Sequence, residues 1–176
     1  MPAVIPIPAA TVVPLRDAPR GVEALLLQRN TRLAFVGGAW VFPGGRIDPV
    51  DRVDARDDIG AARVAACREA FEEAAIRLHP ADLVSFGHWT TPASQPRRFA
   101  TWFFLADASA STMIRIDGGE IVDYRWLPVT QALAAAADAT LPMVRPTIAT
   151  LRRLADYDSV AAALAAASLA QAASAP

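Results

Sequence analysis

The chain has 176 residues, of which 53% are hydrophobic, and a formal net charge of −1; the length is typical of one globular domain, and the charge argues against a broad nucleic-acid interface. All 17 basic residues are arginines, and Cys67 is the only cysteine, which excludes an internal disulfide and favours a reducing, cytoplasmic setting. No stretch of about 18 strongly apolar residues exists, so we expect no membrane partner.

The first half of the chain predicts three strands and one long helix. The first strand contains Pro14, which suggests an edge position because proline cannot donate a ladder hydrogen bond. The segment Pro43-Gly44-Gly45 either turns the chain sharply or brings its backbone close to another group. Asp57 or Asp58 is predicted to cap the helix. The predicted elements are strands at 11–15, 22–29 and 39–42, and a helix from 57 or 58 to about 78.

The second half predicts three more strands, at 83–90, 98–106 and 121–127, and helices at 128–138, 142–157 and 159–172. Strands and helices alternate without a strict βαβ order, which favours an α+β fold with a mixed sheet and flanking helices. We predict a single domain over 1–176. Within it, residues 1–9 are predicted to be an irregular leader, and 158–176 an alanine-rich C-terminal helix and tail.

An acidic arc is the most informative feature of the long helix. Three of the chain's five glutamates are Glu69, Glu72 and Glu73, whose helical spacing places them on one arc about 100° wide. Like charges there repel, and a divalent cation with oxygen ligands would turn the repulsion into attraction. A solvated acidic face is the alternative. The opposite arc is predicted to face the core and contains Val64, Cys67, Ala70, Phe71, Ala74, Ala75 and Leu78.

These residues resemble the Nudix box, G-x5-E-x7-R-E-U-x-E-E-x-G-U. Gly45 matches its first glycine, Asp51 stands where the family has glutamate, and Arg68-Glu69-x-x-Glu72-Glu73 matches its core. There are two departures. Sixteen residues separate Asp51 from Arg68, so the box carries a long insertion. Ala75 replaces the last box glycine, a change that can alter the end of the helix but removes no metal ligand. Alanine is also the better helix former at this position.

The resemblance implies a Nudix-type α/β/α sandwich with extra C-terminal helices. It also implies a diphosphatase that uses Mg²⁺ or Mn²⁺ to cleave the pyrophosphate of a nucleoside diphosphate linked to another moiety. The implied metal ligands are Glu69, Glu72, Glu73 and the Gly44 carbonyl. Arg68 is expected to pair with a box carboxylate, with Asp51 peripheral to the metal. The implied candidates for the general base are Glu69, Glu73 and Glu120.

The substrate is less well defined by the sequence. The insertion and the segment Leu25-Leu26-Leu27-Gln28-Arg29 resemble the coenzyme A diphosphatase subgroup, but Ala34 replaces the second arginine of its motif and Arg32 is the nearest substitute. Pro92 is a loose mark of ADP-ribose pyrophosphatases, so an ADP-ribose-like or other nucleoside diphosphate sugar is the alternative. A non-catalytic, nucleotide-sensing Nudix domain is a further alternative, against which the intact glutamates argue.

Several other side chains are candidates for contacts with a small-molecule nucleotide. Arginines bind phosphate well, and aromatic rings can stack on a base. The candidates are Arg29, Arg32, Arg97 and Arg98 for phosphates, and Phe35, Trp89 and Trp102 for the base. A homodimer is an open alternative, because no stripe of residues identifies an interface.

Overall fold

The computed structural model describes residues 4–19, 21–111 and 113–173. Seven strands form one sheet. They are β1 (Ile7–Asp17), β2 (Val22–Arg29), β3 (Trp40–Val41), β4 (Gly44–Arg46), β5 (Val84–Thr90), β6 (Phe99–Asp107) and β7 (Ile121–Pro128). The order is β3-β2-β1-β6-β5, with β4 also paired to β1 and β7 to β2. Only the β1–β6 pairing is parallel among the strand pairings described, so the sheet is mixed as predicted.

Four α-helices accompany the sheet: α1 (Asp58–Ala74), α2 (Val129–Ala137), α3 (Arg145–Leu154) and α4 (Val160–Ala173). Short 3-10 helices lie at Pro49–Arg52 and Pro80–Asp82. The side chain of Asp57 caps α1 by accepting from the Gly60 N–H at 2.7 Å. Within the described part of the chain, no helix has the length and apolar character needed to cross a bilayer.

The two faces of the sheet bury two separate cores, because side chains alternate along each strand. In β1, Val12 belongs to the core beneath α1, and Val13 to the core beneath α2, α3 and α4. Along β2, Leu25 likewise belongs to the core beneath α1, and Leu26 to the core beneath α2, α3 and α4. Helices therefore cover both faces, and the predicted α+β sandwich with C-terminal helices is confirmed.

The first strand differs from the prediction in two ways. It begins at Ile7, so the irregular leader predicted for 1–9 is wrong at residues 7–9, and residues 1–3 lie outside the described part. It is also central and not at an edge. Pro14 is tolerated because β4 pairs with β1 only at Ala9–Thr11 and β2 pairs only from Leu15, which leaves Pro14 between two partner strands where no donor is needed.

The C-terminal end of α1 also differs from the prediction. The helix ends at Ala74 and not near Leu78, because Ala75 takes a left-handed conformation with φ of 56°. Our interpretation that alanine suits this position as a helix former is therefore wrong, since glycine is favoured in that conformation. The predicted C-terminal tail at 174–176 lies outside the described residues.

The core-facing side of α1 is built from alanines and not from Phe71, which is 45% exposed. The guanidinium of Arg77 lies over the Phe71 ring at 4.5 Å. Six alanines are buried instead: Ala61, Ala62, Ala65, Ala66, Ala70 and Ala74. Their small side chains let the helix approach the sheet closely, so its glutamates can reach the backbone of β4.

Candidate active site: the carboxylate cluster of α1

Close contact between α1 and β4 creates the site. The Gly44 N–H donates to Glu73 Oε2 at 2.9 Å. A Cβ at Gly44 would lie 2.5 Å from the Ala10 carbonyl oxygen, and a Cβ at Gly45 would collide with the Glu69 carboxylate. Both glycines are therefore required by close approach of backbone and side chains, which is one of the two interpretations of Pro43-Gly44-Gly45.

Glu73 is the most buried of the three glutamates, with 5% of its surface exposed. Burial raises the pKa of its carboxyl to about 8; the Gly44 N–H acts against this rise, and the negative charges of Glu69 and Glu120 add to it. Among the described residues Glu73 has no ion-pair partner within 4.0 Å. A buried acid held beside two other acids in this way favours the binding of a cation.

The other two glutamates lie progressively closer to solvent. The side chain of Glu69 is 16% exposed and that of Glu72 is 54% exposed. Burial raises the pKa of Glu69, while the hydrogen bond from Arg68 opposes the rise. The three glutamates therefore differ in exposure, because α1 lies close enough to β4 to bury one end of the arc. The alternative of a solvated acidic face does not hold for Glu73, which is buried.

Arg68 connects these acids to the long insertion. It donates to both carboxylate oxygens of Asp51, from Nε at 3.0 Å and from Nη2 at 2.9 Å. Its Nη1 donates to Glu69 at 2.9 Å and to Glu72 at 3.1 Å. This is the expected pairing of Arg68 with box carboxylates. One guanidinium holds Asp51 through two hydrogen bonds and the helical acids Glu69 and Glu72 through its Nη1.

Asp51 is buried, and its side chain is 1% exposed. Burial alone would raise the pKa of its carboxyl, but the hydrogen bonds from Arg68 and from the Asp48 N–H outweigh burial and lower it. The buried carboxylate therefore stays charged, and we infer that it orients the guanidinium. The insertion leaves the pairing of Asp51 with Arg68 intact.

Glu120 approaches the cluster from the segment before β7. Its charge raises the pKa of both Glu69 and Glu73, and its Oε1 lies 2.7 Å from Arg29 Nη1. The Nε of Arg29 is buried and has no hydrogen-bond partner in the described part of the chain. Glu120 and Arg29 thus lie at the site, joined to each other by an ion pair.

Two residues that the sequence analysis did not single out hold the Glu120 backbone. Asn30 donates from its N–H to the Glu120 carbonyl at 2.7 Å and from Nδ2 to the Gly119 carbonyl at 2.9 Å. The Asp117 carboxylate accepts from the N–H groups of Gly119, Glu120 and Ile121. The residues Asp117-Gly118-Gly119 are typical of a turn, which accounts for the contacts of Asp117 but not for those of Asn30.

The remaining predicted substrate residues lie in different environments. Arg98 donates to the backbone carbonyls of Thr91 and Val4, so its guanidinium ties two segments together. Arg32 is exposed, and its backbone N–H donates to Asn30 Oδ1. Arg97 lies over the ring of Phe35.

The two tryptophans proposed for base stacking pack within the protein. Trp102 contacts His88 edge to face, with ring centroids 4.8 Å apart. Trp89 packs against the core beneath α2, α3 and α4. Their positions give no separate support to a stacking role.

The donor chemistry of the cluster fits Mg²⁺ or Mn²⁺, which prefer carboxylate and carbonyl oxygens. Within 4–19, 21–111 and 113–173, however, no three His, Cys, Asp or Glu side chains are grouped so that they could hold a metal ion. Glu72 is turned towards Arg68, which explains why it does not join Glu69 and Glu73. The site therefore suits a divalent cation in two respects: its ligand atoms are oxygens, and Glu73 is a buried acid without an ion-pair partner among the described residues.

A family model and two curated proteins match most of this chain. The family model described as NUDIX domain matches residues 6–147. The chain is 26% identical over 169 residues to a protein named nudix hydrolase 7 in Caenorhabditis elegans, covering 75% of this chain and 55% of that protein. A nudix hydrolase of Schizosaccharomyces pombe is 27% identical over 125 residues, covering 71% and 40%. The chain thus spans about half the length of these curated relatives.

A solved structure agrees over nearly the whole chain. The crystal structure of a NUDIX hydrolase from Alicyclobacillus acidocaldarius superimposes with a TM-score of 0.84 and 29% sequence identity, covering 92% of this chain and 96% of that one.

Proposed function

The chain belongs to the Nudix family, and we propose that it hydrolyses the pyrophosphate of a nucleoside diphosphate linked to another moiety. The observation that carries this proposal is the carboxyl of Glu73. It is buried beside Glu69 and Glu120 and has no ion-pair partner among the described residues. An acid in such an environment is costly to keep charged unless a cation is bound next to it.

The residues suited to hold Mg²⁺ or Mn²⁺ are Glu69, Glu73 and the Gly44 carbonyl, with Glu72 joining them if it leaves Arg68. When bound, such an ion neutralises phosphate oxygens and lowers the pKa of water. Asp51 and Arg68 would hold Glu69 in place throughout, because the Asp51 carboxylate takes two of the guanidinium's hydrogen bonds.

The chemical step needs a base and a contact for phosphate. The attacking water forms a new P–O bond, the bridging P–O bond breaks, and the proton of the water passes to Glu69, Glu73 or Glu120. Two phosphomonoesters are the products. Arg29 is suited to hold a phosphate through its guanidinium, and its ion pair with Glu120 would keep that carboxylate beside the cluster.

For the substrate, we propose a coenzyme A-like dinucleotide first, on the evidence of Leu25-Leu26-Leu27-Gln28-Arg29 and the long insertion. ADP-ribose-like compounds are the alternative, on the evidence of Pro92. A panel of coenzyme A and its acyl forms, ADP-ribose, NADH, diadenosine polyphosphates and nucleoside triphosphates, tested with Mg²⁺ and with Mn²⁺, separates them.

The decisive experiment uses Glu73→Gln. We expect a rate loss of about 10²- to 10⁴-fold on the best substrate, and loss of the rise in melting temperature that Mg²⁺ gives the parent. Without metal the variant should be at least as stable as the parent, because glutamine can still accept from the Gly44 N–H and carries no charge. Glu23→Gln is the matched control. Glu23 lies outside the carboxylate cluster, and its Oε2 pairs with Arg16 Nη2 at a distance of 2.6 Å.

The proposal fails if Glu73→Gln retains the parent rate, or if no compound of the panel is cleaved. A nucleotide-sensing protein without turnover would bind members of the panel, release no phosphomonoester and leave the Glu23→Gln and Glu73→Gln proteins indistinguishable in rate.

A further inference from the structure

Two phenylalanines and an arginine from two segments of the chain meet in a cluster outside the carboxylate site. The ring centroids of Phe35 and Phe99 lie 5.2 Å apart, at an interplanar angle of 49°. The guanidinium carbon of Arg97 lies 5.4 Å from the Phe35 ring centroid and 5.3 Å from that of Phe99. We call these three side chains the aromatic platform. Phe35 is 37% exposed, although a phenylalanine ring gains most from full burial.

The loop that carries Phe35 is tightly wound and holds an unfavourable backbone conformation. Val36 has φ of 48°, which is an outlier for a β-branched residue. A Cβ at Gly37 would lie 2.6 Å from the Leu33 carbonyl oxygen and 2.9 Å from that of Thr31. Strain of this kind persists only where the surroundings enforce it, and it is frequent at ligand-binding sites. The loop therefore holds an exposed phenyl ring in a fixed place.

The same loop begins at the carboxylate cluster. Asn30 at its start holds the Glu120 and Gly119 carbonyls, and Phe35 follows five residues later. The strand register gives the distance. Gly45 is opposite Ala10 on β1, and Phe99 is opposite Ile7 on the other side of β1. Three residues along the strand and two strand spacings across it place the Phe99 backbone about 14 Å from that of Gly45, a separation of the order of an extended nucleoside diphosphate. Phe99 shares the face of Phe103, opposite α1, so a nucleotide would reach from the platform to the cluster around the end of the strands.

We propose that the aromatic platform binds the base of the nucleotide substrate by stacking, with Phe35 as the contacting ring. This inference rests on the proposed function and names the part of the substrate that is recognised. Base stacking on an aromatic ring tolerates different bases because each has a π face. The guanidinium of Arg97 contacts both rings and supports Phe35, so its role is to position the platform and not to hold a phosphate.

The test compares two probes that differ only in the base, AMP and ribose 5-phosphate, by titration calorimetry. In the parent we expect AMP to bind more tightly. In Phe35→Leu we expect the affinity for AMP to fall about 5- to 150-fold, the range for loss of one stacked base, and the affinity for ribose 5-phosphate to stay unchanged. Phe35→Tyr should restore AMP binding. In hydrolysis, Phe35→Leu should raise KM and leave kcat close to that of the parent.

Phe71→Leu is the matched control, because Phe71 is also an exposed phenylalanine with an arginine over its ring, and its helical position lies about 200° from Glu69. It should leave both affinities unchanged. The proposal is overturned if Phe35→Leu binds AMP as the parent does, if both probes weaken equally, or if the parent does not distinguish them. Because affinity is measured without turnover, the platform can succeed even if no substrate is cleaved, so the two proposals fail separately.

Discussion

At the scale of single residues, the pair of Arg68 and Asp51 determines how the acids of the site are arranged. A guanidinium fork meets a carboxylate with almost no solvent contact, at 2.9 and 3.0 Å. The same guanidinium reaches Glu69 and Glu72. An arginine is required for this geometry because lysine offers a single point charge and no planar fork.

Replacing Arg68 by methionine should therefore cost much more than removing an ordinary surface charge. It leaves the Asp51 carboxylate buried and unpaired, and we expect the free energy of unfolding to fall by about 3 kcal/mol. Urea denaturation measures this change. The control is Arg125→Met, because Arg125 pairs with Asp123 and both side chains are about half exposed, and such a pair contributes about 1 kcal/mol or less.

A double-mutant cycle separates the pairing from other effects of the methionine. Adding Asp51→Asn to Arg68→Met removes the orphaned charge, so the double variant should be more stable than the sum of the single changes predicts, by about 1–3 kcal/mol. Strict additivity of the two changes would show that the pair is not coupled.

The residue types of the site could be predicted from the sequence, but their environments could not. The spacing of Glu69, Glu72 and Glu73 placed them on one arc of a helix, and the pairing of Arg68 followed from the box. That Glu73 is buried depends on how closely α1 approaches β4, which is set by the alanines of the helix and by Gly44. Asn30 carries no local signal for its contacts with the Gly119 and Glu120 carbonyls, because those residues are distant in sequence and meet only in the fold. Asp117 is different, since its contacts with Gly119, Glu120 and Ile121 are those of a local turn.

At the scale of elements, the end of α1 follows from one backbone angle. Ala75 has φ of 56°, and its N–H donates to the Phe71 carbonyl at 2.9 Å while the chain leaves the helix. An L-residue in this conformation costs about 1–2 kcal/mol. The strained residue lies two positions after Glu73, so Glu73 belongs to the last turn of the helix.

Ala75→Gly should therefore stabilise the protein. Glycine relieves the strain but gains freedom in the unfolded chain, which offsets about 0.4–1 kcal/mol, so we expect a net gain of about 0.5–1 kcal/mol. Ala139→Gly should act in the same direction, because Ala139 has φ of 61°. In contrast, Ala165 lies in the middle of α4 on its exposed side, and Ala165→Gly should lower the free energy of unfolding by about 1 kcal/mol. If Ala75→Gly and Ala165→Gly shift the melting temperature equally, the backbone argument is wrong.

Most element types and many boundaries follow from periodicity and turn residues, and each error in the prediction has a specific physical cause. β4 is three residues long and contains two glycines, so no side-chain alternation identifies it. The position of Pro14 inside a central strand depends on two partner strands that share one side of β1. The end of α1 depends on the left-handed angle of Ala75, for which alanine gives no signal.

At the scale of the whole molecule, α4 closes the core on the side of the sheet opposite α1. Its residues Val160, Ala163 and Ala167 are buried, with 0% of Ala163 exposed. The Asp17 carboxylate at the end of β1 accepts from the Val160 N–H at 2.7 Å, which attaches the start of α4 to the sheet. The carboxylate cluster lies on the α1 side, so α4 should contribute to stability and not to the chemical step.

This division is tested by the same substitution at two positions of α4. Ala163→Glu places a charged, larger side chain in a filled core and should destabilise the protein by about 3 kcal/mol or more. Ala165→Glu places it on the exposed side of the helix and should change the free energy of unfolding by about 0.5 kcal/mol or less. Below the melting temperature both variants should keep the parent kcat, because neither touches α1 or β4. Equal stability of the two variants would mean that α4 does not pack on the sheet, and a selective loss of kcat in Ala163→Glu would mean that this core supports the site directly.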